Sequence, residues 1–156
     1  MDHPWLVVAA LAVVGMIGAL LAVRPLRRFG RQVHWERACE AFRLQRDALE
    51  AKFLVAARAS GKPRGLLWKD CRFDHSAEFV RDKQNGDIAA LVGATIAFEA
   101  VAGGDMEDNP NVGLLRNASA VFYFHKGHWN TVGKAVFNMN PNEAIEHFKS
   151  QYERVT

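Results

Sequence analysis

Two carboxylates and an imidazole crowd into KDCRFDH at residues 69–75, where Asp70, Asp74 and His75 could share a proton. Tyr123 would join them if the sheet that carries it curls, and a His/Asp pocket of that kind can do general acid–base chemistry. Cys71 stands four residues before His75, a separation that fixes no thiolate–imidazole geometry across a strand end. The competing reading of Asp70, His75 and Tyr123 is a strand end with solvated charges, and it is the simpler one.

Two further clusters invite metal chemistry. His125 and His128 flank Lys126-Gly127 and should face each other across a hairpin, with Cβ atoms about 5 Å apart. They make only half of a zinc site, and no further ligand is marked nearby. A solvated hairpin tip is the favoured reading. GGDMEDNPN at residues 103–111 gathers Asp105, Glu107 and Asp108 behind two glycines. Oxygen ligands at alternate positions suit a hard cation, yet Pro110 stands at the sixth position of the would-be calcium loop and Arg116 at the twelfth. An acidic, solvated or partner-facing loop fits better. No metal or cofactor is expected. SGKPRG, at residues 60–65, lacks phosphate-loop spacing and reads instead as a helix stop.

The elements that must position these groups follow from periodicity. Residues 33–59 read as one amphipathic helix: Trp35, Phe42, Leu49 and Ala56 recur every seven residues, with Ala38, Cys39 and Phe53 beside them. A helix packed on a sheet is expected over a coiled coil, because the repeat covers too few heptads. Period two begins at Leu66. A strand over residues 66–73 precedes a hairpin at Asn85-Gly86, which should pair Lys83 with Ile88, Arg81 with Ala90 and Phe79 with Val92. A second hairpin turns at Lys126-Gly127, with Phe122, Phe124, Trp129, Thr131, Ala135 and Phe137 on one face and Val121, Tyr123, His125, His128, Val132 and Val136 on the other. Apolar residues on both faces mean a sheet covered twice or curled around a cavity. Asn140, Pro141 and Glu143 then open a helix with a capping box, whose buried stripe is Ala144, Ile145, Phe148 and Tyr152.

The expected fold class is therefore α+β: an N-terminal transmembrane helix, an amphipathic helix, a curved antiparallel sheet of about five strands and a C-terminal helix. The element order over residues 33–153 resembles the NTF2-like and cystatin-like folds, in which a helix lies against a curved sheet. No residue motif accompanies the resemblance, so it implies a shape and no activity.

Residues 5–23, bounded by Trp5 and Val23, contain no charged or polar side chain. At helical rise they measure about 28 Å, near the thickness of bilayer hydrocarbon. The flanks lack the basic n-region and cleavage pattern of a signal peptide. Arg24, Arg27, Arg28 and Arg31 follow the run, which predicts a single-pass protein in the cell membrane, N-terminus outside and C-terminal domain cytoplasmic. Ala12, Gly15, Ala19 and Ala22 form a small-residue stripe suited to helix packing. Residues 1–31 are thus expected as anchor and basic flank, residues 32–60 as the amphipathic helix and residues 61–156 as sheet plus terminal helix, with 32–156 forming one domain.

Charge narrows the partners. Residues 24–60 hold nine Lys and Arg against four Asp and Glu, whereas residues 61–156 hold eleven against twelve. The basic excess is thus beside the apolar run, which points to the lipid bilayer and anionic head groups and away from nucleic acid. Cys39 and Cys71 should be free thiols on the cytoplasmic side. The expectation as a whole is a membrane-anchored, non-catalytic binding or assembly domain, as a homodimer or with a partner protein. The alternative is a small membrane-tethered enzyme of NTF2-like shape using Asp70, His75 and Tyr123.

Overall fold

The computed structural model describes the backbone of residues 4–60 and 65–155, with side chains described at 12–16, 30–60 and 65–155. The described chain runs α1 (Pro4–Ala59), β1 (Leu66–Asp82), β2 (Ile88–Ala100), β3 (Arg116–His125), β4 (His128–Asn130), β5 (Ala135–Phe137), α2 (Pro141–His147) and β6 (Tyr152–Arg154). It divides into two compact units, Met1–Arg37 and Ala38–Thr156. In the first, the helical backbone carries through Pro25 and Gly30, and Gln32 donates to Glu36 one turn on.

The second unit is built on one open antiparallel sheet in the order β4-β3-β2-β1-β6, with β5 also on β3. β2 is central, and every residue from Ile88 to Ala94 is buried, the continuous apolar run of a strand covered on both faces. One face takes the residue 38–59 part of α1. Phe42 meets Phe79, Phe122 and Trp129 at 4.9–5.5 Å between ring centroids, and Phe53 meets Trp68, Phe73 and Phe122 at 5.6–6.1 Å. The Trp129 indole donates to the Ala38 carbonyl at 2.8 Å, fixing the hairpin to the helix. On the other face, Val80, Ala89, Leu91 and Tyr152 of the sheet pack with Ala144 and Ile145 of α2. Of the two arrangements open to a doubly apolar sheet, this is the covered one.

Local chemistry explains the connections. Lys126 and Gly127 both take positive φ (50° and 84°), as a two-residue mirror-image turn requires, and His125 pairs with His128. The first hairpin does turn through Asn85-Gly86, but Arg81 pairs with Ile88 and Phe79 with Ala90, two residues from the expected register. Asp82 accepts from Gln84 N and Asn85 from Asp87 N, so side-chain turns close a wider loop. A shift of two keeps every side chain on its face. Asn140 and Glu143 form the reciprocal capping box of α2; of its expected stripe, Tyr152 belongs to β6.

Three expectations are corrected. The sheet has six strands, not about five: the first two expected strands are one strand, β1, interrupted by bulges at Trp68/Asp70 and Phe73/Ala77, the last is split into β4 and β5, and β6 is added. The N-terminal and amphipathic helices are one element, α1. Most importantly, among the described residues no helix is long and apolar enough to cross a membrane. The transmembrane helix expected between Trp5 and Val23 is therefore unsupported, and with it fall the single-pass, cell-membrane placement and the outside/cytoplasmic orientation. Of the residues cited for that span, Ala12, Gly15 and Arg31 are exposed; the side chains of Trp5, Ala19, Ala22, Val23, Arg24, Arg27 and Arg28 lie outside the described residues.

Candidate functional site

The proton-transfer trio does not assemble. Asp70 pairs with Ala97 on β2, whereas the β3 residue Tyr123 pairs with Ala89, eight positions along the same strand and about 26 Å away at strand rise. Asp70 is exposed and accepts from Arg72 at 3.3 Å. His75 sits in a bulge, also exposed. Tyr123 packs with the opposite-face cluster around Tyr152. Cys71 is buried and free. Burial, reinforced by the carboxylates of Asp70 and Glu50, pushes its thiol up to about 12, which makes it a poor nucleophile at neutral pH.

Neither metal candidate gains ligands. His125 Nδ1, at the end of β3, lies 3.0 Å from Oδ2 of the half-buried Asp87, just before β2. In the acidic loop, Glu107 accepts from Gly103 N and Asn109 from Asn111 N, so these oxygens close the loop on itself. Among the described residues no three His, Cys, Asp or Glu side chains are grouped to hold a metal ion, those of Asp105, Glu107 and Asp108 included.

Two grooves remain. One, of about 630 Å³, is polar and borders Asp74, Thr95, Asn117, Asn138 and Asn140. Several of its polar groups are already committed: Asn140 and Glu143 cap α2, and Ser119 behind it donates to the Met139 carbonyl at 2.9 Å. The Asp74 carboxylate lies directly over Gly93, where only a hydrogen leaves it room.

The second groove, of about 680 Å³, is mostly apolar. Its floor is α1 at Ala48, Leu49, Val55 and Ala56, and its wall is Trp129 and Thr131. That wall exists because the edge strand breaks between β4 and β5. Thr131 Oγ1 donates to the Val121 carbonyl and accepts from Gly133 N, and Gly133, at φ 71°, is pressed onto the helix backbone at Ala56 and Ala57. The groove opens along a row of exposed apolar residues on α1, with Leu44 at 81% and Val55 at 69% of full exposure.

Sequence reasoning singled out the stripe through Phe42 and Leu49, which is indeed buried on the sheet together with Ala38 and Phe53. It passed over the row through Leu44 and Val55. The available signal was a second seven-residue repeat on the same helix, out of phase with the first.

Comparison of the chain with known families, curated proteins and solved structures finds no match.

Proposed function

We propose that this chain is a non-catalytic binding module whose working surface is the outer face of α1 beside the apolar groove. The observation that carries the reading is that row of exposed apolar side chains, Leu44 and Val55 with Ala48 and Ala51 between them, which the fold itself leaves uncovered. Large apolar side chains aligned on an exposed face and adjoining a groove are characteristic of a surface that meets another molecule. The separation of Asp70 from Tyr123 weighs against the proton-transfer alternative.

A photo-crosslinking residue at position 44, with one at Arg72 on the distant β1 surface as control, tests the assignment. The expected result is an adduct of discrete mass from position 44 alone, lost when Val55 is replaced by Asp. Equal labelling at both positions, or none at either, overturns it.

A further inference from the structure

The exposed row has a period and its flanks carry charges, and together they specify an occupant. We infer that the surface is covered by α1 of a second copy of this chain, the two helices parallel. The inference rests on the binding-module reading and identifies its partner.

Ala41, Leu44, Ala48, Ala51 and Val55 follow a 3-4-3-4 spacing, that of the a and d seam of a coiled coil. With Ala41 at position a, the residues held against the sheet, Phe42, Leu49, Phe53 and Ala57, fall at b, f and c. The helix is therefore apolar on two opposite sides, and its own domain accounts for only one of them. Small residues at three of the five seam positions let two helix backbones come close.

The flanking positions choose the orientation. Glu40, Asp47 and Leu54 occupy g; Gln45, Lys52 and Ala59 occupy e. A parallel pair sets each g residue beside the e residue five places on in its partner. That matches Glu40 with Gln45, Asp47 with Lys52 and Leu54 with Ala59: a polar pair, an ion pair and an apolar pair. An antiparallel pair would set g against g and bring Glu40, Asp47 and their copies together, which is repulsive. Asp47 and Lys52 have no hydrogen bond or ion pair among the described residues and are free to form this one. All three e residues also line the apolar groove, so the partner's g side chains have a place to enter beside Trp129 and Thr131. Two heptads make a short seam, and the groove extends the contact beyond it.

The test uses the full chain in sedimentation equilibrium and in disulfide trapping. Self-association is expected, with Leu44→Asp raising the dimer Kd by at least about tenfold while the far-UV spectrum, and the thermal midpoint at concentrations where both chains are monomeric, stay as in the parent. Lys52→Asp alone should weaken the dimer, and Asp47→Lys with Lys52→Asp should restore it, since the exchange preserves the pair. In a Cys39→Ser background, Leu44→Cys should form a 44-to-44 bridge under mild oxidation. A dimer that fails to bridge, or that the double exchange does not rescue, overturns the parallel arrangement. A chain that stays monomeric to about 100 µM overturns the second copy as occupant; if position 44 then still crosslinks to another molecule, the binding-module reading survives, and if it does not, both fail.

Discussion

Gly133 rests on the backbone of Ala57. A Cβ on Gly133 would stand 2.7 Å from the Ala56 carbonyl carbon and closer still to the Ala57 nitrogen, and these are backbone atoms that cannot swing aside. The groove wall is therefore held by the absence of a side chain.

Gly133→Ala should be among the most damaging single substitutions in the second unit. It combines a positive φ with a backbone collision, so a loss of about 2–4 kcal/mol is expected in urea unfolding. Gly93→Ala makes the contrast: its obstacle is the tip of the exposed Asp74 side chain, which can rotate away. The expected cost is about 1 kcal/mol or less, vanishing in an Asp74→Ala background.

Arginines from α1 occupy the bulges of β1. Arg46 donates to the carbonyls of Asp74 and His75 and to Glu50 at 2.7 Å; Arg58 donates to those of Trp68 and Lys69 at 3.3 and 3.4 Å. Arg46→Ala should lower stability by about 1–3 kcal/mol, with Arg46→Lys recovering only part, because a point-like ammonium cannot span two carbonyls as a fork does. Arg58→Ala, with longer bonds, should cost less. Chemical denaturation of the three variants ranks them.

Cys71 should be silent to thiol reagents in the folded chain. With its thiol raised from 9.0 to about 12, labelling by a disulfide reagent at pH 8 should be slower than at the half-buried Cys39 by ~100-fold or more. The linkage has a definite sign. Below about pH 9 folded and unfolded chains both keep the proton, and the contribution is complete; from pH 9 towards 12 the unfolded chain ionises first, so stability declines as pH rises. Unfolding midpoints at pH 8 and pH 10 should show a drop that Cys71→Ala diminishes.

Tyr152 is buried at 4% exposure, and its hydroxyl has no well-formed hydrogen bond. Burial, with Tyr123 and Asp82 nearby, holds the phenol well above its ordinary range. The neighbouring Tyr123 hydroxyl is too poorly placed to offset the desolvation of this group, so Tyr152→Phe should be neutral or stabilising by up to about 1 kcal/mol. A thermal midpoint that falls by several degrees would contradict this account.

Local chemistry was legible and long-range geometry was not. The Asn140–Glu143 box, the Lys126-Gly127 turn and the burial of Phe42 and Leu49 all follow from a few neighbouring residues. The joined β1 was missed because its bulges interrupt period two between Phe73 and Ala77, and β6 because three residues are too short to carry a period. The register of the first hairpin was misplaced by two because Asp82 and Asn85 widen the loop, which the Asn-Gly pair alone does not reveal. No local signal shows that Gly133 meets Ala57, seventy-six residues away. The apolar run at residues 5–23 satisfied a length and composition rule for a membrane span, and no helix among the described residues meets it.

Both lateral borders of the sheet are interrupted, and β6 covers β1 only at Val80–Asp82. On one side the free carbonyls at the β1 bulges are taken by Arg46 and Arg58; on the other, β4 and β5 offer three residues each on either side of a break. A stray peptide meets a border broken by bulges, arginine contacts or a split strand, a poorer template than a long flat edge. Crowded copies of the folded chain should accordingly resist cross-β polymerisation, and any higher-order state they enter should leave the strand content of each copy unchanged.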